Sequence, residues 1–173
     1  YREVFTFPIE EYYKRVGFDF DKIPFSMLAH EYMEDYQEKS YACDLHSDVL
    51  DVVNKAKNLG FSQTVLSASK MDYLLKQMET LHVDDLFDSI YGINDIYAKS
   101  KVELAHAFKQ TCSLDDEIYF VGDSVHDYEV AKSIGAKCIL VTTGHQNRAT
   151  LESVNVPVMD SLMESLDLIY ERD

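Results

Sequence analysis

The sequence has few basic residues for its length. Sixteen Lys and Arg stand against 31 Asp and Glu, so the formal net charge is −15. A field of this sign repels nucleic acids and anionic membrane surfaces, and we expect neither as a partner. A small anionic substrate is compatible with this charge if a metal ion or a lysine reverses the sign inside a site.

Cysteines are also scarce, and long apolar runs are absent. The three cysteines, Cys43, Cys112 and Cys138, lack the close, even spacing of a disulfide framework or a zinc site. No segment approaches the ~20 apolar residues of a membrane span. The first residues lack the basic region and apolar stretch of a signal peptide. We therefore expect a cytoplasmic protein.

Over residues 41–173, strand-like apolar runs alternate with segments of helical periodicity. In 47–60, for example, apolar residues recur at helical spacing and are followed by Gly60. This alternation predicts a three-layer Rossmann-like α/β fold, in which helices cover both faces of a parallel sheet. Further helices are predicted within 69–82, 100–111 and 127–135, and strands within 61–69, 87–92, 117–123 and 136–143; a last short strand and a helix are predicted within 156–171.

Residues 1–40 differ from the rest, because they show helical patterns and many aromatic residues but no strand between them. We interpret them as a small helical appendage. Its aromatic side chains are expected to form a core rather than to select a substrate; they include Phe5, Phe7, Tyr12 and Tyr13.

Polar residues follow the predicted strands where the carboxyl ends of a parallel sheet collect ligands. Ser67, Asp123 and the pair Thr142–Thr143 stand at such positions. In GDSVHD, Asp123 and Asp127 would repel each other, and a hard cation such as Mg²⁺ relieves that repulsion with oxygen ligands. Asp127 also has capping-box spacing from Ser124, so a purely structural role is the alternative.

Lys101 is predicted at the first position of a helix, because Ser100 and Glu103 have capping-box spacing. A cation is unfavourable at the positive end of a helix, so we expect an anion nearby, such as a phosphate or a carboxylate. A solvated surface lysine is the alternative. Ser69 and Asp72 have the same spacing and predict a second capping box.

Ser67 lacks the G-x-S-x-G context of a serine nucleophile and fits better as a hydrogen-bond donor to a phosphate oxygen. His126 and His145 are predicted in loops at the same edge of the sheet. Either histidine could contact a substrate, or it could simply be solvated.

These motifs, in this order, resemble those of the haloacid dehalogenase superfamily of phosphohydrolases. Ser67 in VLSAS matches the second motif, Lys101 in SKVELA the third, and Asp123 with Asp127 in GDSVHD the fourth. The resemblance covers residues 41–173.

The likeness is greatest to the phosphoglycolate phosphatase-like branch, whose members carry a helical cap after the first motif. Residues 1–40 resemble the second part of such a cap. Ala68 replaces the Asn that many members have in the second motif, and Lys99 is a rival of Lys101 for the third.

The resemblance implies Mg²⁺-dependent hydrolysis of a small phosphate monoester, such as phosphoglycolate or a sugar phosphate, through an aspartyl-phosphate. Asp123 would hold Mg²⁺, and Asp127 would be a further ligand or would orient Asp123. Lys101 would neutralise the nucleophile and phosphoryl oxygens, and Ser67 would donate to a phosphoryl oxygen. The substrate would also contact Ala68 and His126, and the protein would be a monomer or a homodimer.

The first motif of the family, a D-x-D segment after the first strand, has no match before Ser67. The sequence DFD at 19–21 lies inside the appendage. Family topology places the first strand between the strands that end at Ser67 and Asp123. Because the chain also begins at Tyr1 rather than Met, we expect that roughly 40 preceding residues carry this strand and the nucleophile.

Two other classes of function remain open from the sequence. An inactive relative could bind a phosphorylated metabolite or a protein partner. A receiver-like signalling domain also gathers acidic residues and a lysine, but its lysine lies on a late strand, whereas Lys101 precedes the GDxxxD strand. Dehalogenase chemistry is disfavoured because GDxxxD is typical of the metal-dependent phosphatases.

Overall fold

The computed structural model describes residues 1–6, 8–93 and 100–171. Within these ranges every strand pairing is parallel, in one sheet of order β1-β2 and another of order β3-β4-β5. The helices are α1 Ile9–Arg15, α2 Phe25–Ser40, α3 Val49–Asn58, α4 Met71–Thr80, α5 Lys101–Thr111, α6 Val125–Ser133, α7 Arg148–Glu152 and α8 Leu162–Tyr170, and a 3₁₀ turn spans Asp84–Leu86. The strands are β1 Thr64–Lys70, β2 Ser89–Ile93, β3 Tyr119–Gly122, β4 Lys137–Val141 and β5 Val158–Met159.

The predicted α/β fold class is confirmed. β4 is the middle strand of its sheet, and it is buried from Cys138 to Val141. A continuous apolar strand of this kind is typical of a parallel sheet covered on both faces. The predicted helix in 47–60 is also confirmed: Val53 and Ala56 of α3 are buried, and Gly60 takes a φ of 87° just after the helix ends.

The capping box predicted for Ser69 and Asp72 is wrong. β1 continues through Ser69 to Lys70, which pairs with Ile93, and α4 begins at Met71 without a side-chain cap. The pairing is regular only as far as Leu66 and then shifts. The strand pairing therefore overrides the local capping signal. The short helix α7 was not predicted either.

Helices connect the two sheets. α5 packs on β1 and β2, α6 packs on β3 and β4, and α5 also packs on α6. Ala105, Val130 and Ile134 form the shared core between these helices, with Leu66 of β1 and Phe120 of β3 packed against it.

Within the described part of the chain, β1 and β3 each have one edge without a strand partner. Val121 of β3 is 38% exposed. The expectation that a further strand lies between β1 and β3, so that 41–173 is a core without its first strand, stays a prediction.

The helical character of residues 1–40 agrees with α1 and α2, and no strand is described there. The DFD sequence at 19–21 lies between these helices, where Asp19 accepts a hydrogen bond from the Asp21 N–H. Phe7 lies outside the described residues. No helix in the described ranges combines the length and the apolar character that crossing a membrane requires. The division into a partial cap, 1–40, and a core, 41–173, remains a prediction, although α2 ends at Ser40.

Asp48 links the start of α3 to the start of α8. Its Oδ2 accepts hydrogen bonds from the backbone N–H groups of Leu162, at 3.0 Å, and Met163, at 3.3 Å. The first N–H groups of a helix have no partner within the helix, so this carboxylate satisfies two of them. Lys55 and Asp167 form an exposed ion pair between the same helices, with an N–O distance of 2.5 Å.

We expect Asp48→Ala to lower the free energy of unfolding by about 1 kcal/mol, because it removes a capping carboxylate. Urea denaturation measures this change. Asp44→Ala, at an exposed position in the preceding loop, is the matched control and should change the value by less than about 0.5 kcal/mol. Equal effects of the two substitutions would contradict the capping role.

Candidate active site

Asp127 is the centre of the hydrogen-bond network at the start of α6. Its Oδ2 accepts from the Asp123 N–H at 3.0 Å, the Ser124 N–H at 3.1 Å and the Ser124 hydroxyl at 2.8 Å. In return, Ser124 Oγ accepts from the Asp127 N–H at 3.2 Å. The predicted capping box of Ser124 and Asp127 is therefore confirmed.

Lys101 supplies the remaining partner of Asp127. As predicted, it is the first residue of α5, and Ser100 caps this helix by accepting from the Glu103 N–H. Lys101 Nζ donates to Asp127 Oδ1 at 2.5 Å, and their side chains are 19% and 3% exposed. The anion expected beside this lysine is thus a carboxylate of the protein itself.

The pair determines the charge state of Asp127. Burial by itself raises the pKa of this carboxyl, because it disfavours the charged form. The Lys101 ammonium and the hydrogen bonds from Lys101, Ser124 and the Asp123 N–H outweigh burial and hold the pKa of Asp127 below its ordinary value. Asp127 is therefore a carboxylate at neutral pH, with a protein donor on each oxygen.

Asp123 directly follows β3, at the carboxyl end of the strand. Its Oδ2 accepts a hydrogen bond from the His145 N–H at 2.7 Å. Two glycines make room for this arrangement. A Cβ on Gly122 would lie 2.3 Å from Asp127 Cβ, and a Cβ on Gly144 would lie 1.8 Å from Asp123 Oδ2.

The loop after β4 is attached to the start of α6. Gln146 is buried, and its Oε1 accepts from the Val125 N–H at 2.7 Å. This bond satisfies the first backbone donor of the helix, while the neighbouring His145 holds Asp123. The loop therefore contacts the GDSVHD segment at Asp123 and at Val125.

The N-terminal segment, residues 1–6, contacts the same loop after β4. Arg2 donates from its guanidinium to the carbonyl oxygens of Thr142, at 3.2 Å, and Thr143, at 3.3 Å. The Tyr1 hydroxyl lies 2.6 Å from His145 Nδ1, and the ring of Phe5 stacks on the His145 ring. These contacts hold residues preceding α1 against the carboxyl edge of β4.

Ser67, Ala68 and His126 are the remaining residues of the predicted site. Ser67 lies where the β1–β2 pairing becomes irregular, and its Oγ accepts from the Ser69 N–H at 3.1 Å. Ala68 is exposed. The prediction of His126 in a loop is wrong: the capped helix α6 begins at Val125, so His126 lies in its first turn, with Nδ1 3.3 Å from Glu129 Oε2. The structure thus joins Lys101 and the two aspartates in one network, and the substrate contacts of these three residues stay predictions.

The fit of this site to Mg²⁺ depends on Asp123. Mg²⁺ is typically held in proteins by one or two carboxylates, substrate phosphate and water. Asp123 supplies such a carboxylate at the strand end, whereas both oxygens of Asp127 accept from protein donors. Among the residues in the described ranges, no group of three or more His, Cys, Asp or Glu side chains could hold a metal. Asp123 therefore fits one position of a ligand set that these residues do not complete.

Gly144 and Gln146 are site residues that the sequence reasoning missed. The glycine directly after the TT strand end could have indicated a close approach of another group. No local pattern indicates that Gln146 is buried against α6. Lys99, the rival for the third motif, lies outside the described residues.

We expect Gly144→Ala to move the Asp123 carboxylate away from the His145 N–H, because the added Cβ would occupy the position of Asp123 Oδ2. Such overpacking should lower the free energy of unfolding by about 1–3 kcal/mol. Urea denaturation and a crystal structure of the variant measure both effects. Thr143→Ala, which removes atoms from the neighbouring position, is the control. An unmoved Asp123 and a stability within about 0.5 kcal/mol of the parent would contradict this expectation.

The lowered pKa of Asp127 predicts a pH-dependent stability. A carboxyl whose pKa is lower in the folded state stabilises the protein above its unfolded-state pKa, near ~4. That stabilisation is lost as the pH falls through the lower, folded-state value. Asp127→Asn should therefore lower the free energy of unfolding by about 3 kcal/mol at pH 6, because it leaves Lys101 without its counter-charge. The difference in the free energy of unfolding between the parent and Asp127→Asn should narrow between pH 5 and pH 3.

Urea denaturation at several pH values tests this prediction. Asp160→Asn is the control, because Asp160 also pairs with a cation, Arg148, but at the exposed surface. Surface pairs contribute little. A gap between the parent and Asp127→Asn that stays constant from pH 6 to pH 3 would contradict the linkage.

Comparisons with known structures agree with this architecture. A haloacid dehalogenase-like family hydrolase from Streptococcus pneumoniae superimposes with a TM-score of 0.81 at 21% identity, over 94% of this chain and 76% of that chain. A protein described as a predicted phosphatase, from Clostridium acetobutylicum, superimposes with a TM-score of 0.77 at 20% identity, over 94% of this chain and 76% of that chain. A protein described as a predicted phosphoglycolate phosphatase, from Haemophilus somnus, superimposes with a TM-score of 0.68 at 18% identity, over 93% of this chain and 73% of that chain. At these identities the likeness establishes the fold.

Among curated proteins, no significant match was found. The family profile described as haloacid dehalogenase-like hydrolase matches residues 1–141, which is most of the chain. The chain therefore belongs to the haloacid dehalogenase-like hydrolase family.

Proposed function

We propose that the protein is a Mg²⁺-dependent phosphatase that hydrolyses a small phosphate monoester, such as phosphoglycolate or a sugar phosphate. The observation that carries this proposal is the network in which Lys101, Asp127 and Asp123 meet at the carboxyl ends of the strands. Phosphoryl transfer depends mainly on positioning and on stabilisation of negative charge. A lysine held by a buried carboxylate supplies both.

Lys101 would stabilise the charge on the phosphoryl group. An ammonium has three donors, and one of them goes to Asp127. The other two would be available to a phosphoryl oxygen and to the nucleophile. Because Asp127 fixes the ammonium before the substrate arrives, little reorganisation would be needed during the reaction.

Asp123 would be the Mg²⁺ ligand supplied by this part of the chain, and the ion would neutralise charge on the phosphoryl oxygens. For Asp127, the hydrogen bonds support the orienting role, because its Oδ2 accepts from the Asp123 N–H and its Oδ1 accepts from Lys101 Nζ. Direct ligation by Asp127 would compete with these donors.

On the substrate side, Ser67 would donate its hydroxyl to a phosphoryl oxygen, and Ala68 and His126 would line the site. Ala68 is exposed on the irregular end of β1, and His126 lies in the first turn of α6. Residues 1–40 would act as part of a cap that excludes water and selects the substrate.

The nucleophile would be an aspartate outside these 173 residues; it would attack phosphorus, displace the alcohol of the ester and form an aspartyl-phosphate that water then hydrolyses. In the described part of the chain, β1 and β3 each have one edge without a strand partner, and this supports a strand between them, because a backbone group buried at such an edge without a partner would cost about 1–3 kcal/mol. A strand at this position would end beside Lys101 and Asp123. We further propose a cytoplasmic protein that acts as a monomer or a homodimer.

The test is hydrolysis of p-nitrophenyl phosphate and 2-phosphoglycolate by the natural protein, with Mg²⁺ and with EDTA. We expect turnover that EDTA abolishes and that Asp123→Asn or Lys101→Met lowers by about 10²–10³-fold. Asp160→Asn removes a carboxylate at the end of β5 and should retain activity. An intact mass above that of the 173 residues would locate the nucleophile outside them.

The alternative is a catalytically inactive family member that binds a phosphorylated metabolite or a protein partner. Folded natural protein without turnover on either ester, in the presence of Mg²⁺, would favour this alternative. Binding of phosphate detected by calorimetry, and lost in Lys101→Met, would then identify the site as one for recognition alone.

A further inference from the structure

The N-terminal segment has one described side chain that is buried, Phe5. Phe5 is the only buried hydrophobic side chain described before Val53. Its ring stacks on the ring of His145, with the centroids 4.8 Å apart and an interplanar angle of 20°. The rings of Tyr1 and Tyr12 pack around Phe5, at 5.3 and 5.4 Å.

The main chain of His145 makes a further contact. Its N–H donates to Asp123 Oδ2 at 2.7 Å. The side chain of His145 is therefore held by the N-terminal aromatic residues, and its main chain holds the carboxylate proposed to bind Mg²⁺. One residue thus contacts both parts of the protein.

The loop has little freedom to move without moving Asp123. Gly144 lies so close to the Asp123 carboxylate that even a Cβ would overlap it. Arg2 fixes the preceding carbonyl groups of Thr142 and Thr143, again from the N-terminal segment. A displacement of the Phe5 ring would therefore also move the His145 N–H.

We propose that His145 is a positioning residue that couples docking of the N-terminal segment to the orientation of the Asp123 carboxylate. When the Phe5 ring is stacked on His145, the loop is held and the N–H points at Asp123. When the segment leaves, the loop relaxes and this hydrogen bond weakens. The coupling itself is a property of the fold, and its consequence for catalysis rests on the proposed function.

The first measurement is hydrogen exchange of the residue 145 amide, followed by NMR. We expect Phe5→Ala to accelerate this exchange about 3- to 10-fold, the range of one aromatic pair. Phe5→Leu keeps an apolar side chain without a ring and should accelerate it to a smaller degree. Phe18→Ala is the control, because Phe18 is an exposed ring that packs on Tyr13.

Substitutions at position 145 separate positioning from simple packing. His145→Phe keeps a ring that can stack on Phe5 but loses the hydrogen bond between the Tyr1 hydroxyl and Nδ1, so its amide should exchange faster than in the parent and more slowly than in His145→Ala. His145→Ala removes the ring and should exchange as fast as the Phe5→Ala variant. Exchange at the parent rate in both Phe5→Ala and His145→Ala would overturn the proposal, as would equal acceleration by Phe18→Ala.

Metal affinity tests the consequence for Asp123. Mn²⁺, used as a paramagnetic probe in place of Mg²⁺, should bind the Phe5→Ala variant about 3- to 10-fold more weakly than the parent and the Phe18→Ala control. Parent affinity in Phe5→Ala, despite faster amide exchange, would overturn the coupling to Asp123. If the parent itself binds no Mn²⁺, the proposed metal-dependent function is wrong. The coupling is then decided by two NMR measurements, the exchange rate of the residue 145 amide and the chemical shift of the Asp123 side-chain carboxyl carbon.

Discussion

The ion pair between Lys101 and Asp127 is the interaction on which the site depends. Both side chains are largely buried, and a charge in the interior is costly unless an opposite charge and hydrogen bonds accompany it. The pair joins the start of α5, which packs on β1 and β2, to the start of α6, which packs on β3 and β4. It therefore fixes the position of one sheet relative to the other at the edge where the carboxyl ends of the strands meet.

The two aspartates of GDSVHD have different environments and therefore different roles. Asp127 lies inside the protein and accepts hydrogen bonds from Lys101, Ser124 and the backbone of Asp123. Asp123 follows the strand directly and accepts from the N–H of His145. Two carboxylates four residues apart are thus divided between an internal support and a group at the edge of the sheet, a common way for a site to assign distinct tasks to like residues.

The loop after β4 connects this site to the rest of the molecule. Gly144 permits the approach of Asp123, His145 holds its carboxylate, and Gln146 caps α6. The same loop carries the contacts from Arg2 and Phe5 of the N-terminal segment. A short segment without a motif of its own therefore joins Asp123, the start of α6 and the residues that precede α1.

The features that depend on near neighbours in the chain could be predicted from the residues alone. The alternation of strands and helices, the capping box of Ser124 and Asp127, and the need of Lys101 for an anion all follow from residues within about four positions of one another. Tertiary structure decided that this anion is Asp127, 26 residues along the chain. It also decided that β1 continues past Ser69 and that Gln146 is buried. These outcomes depend on how helices and strands pack across the molecule, and local periodicity carries no information about partners so far apart in sequence.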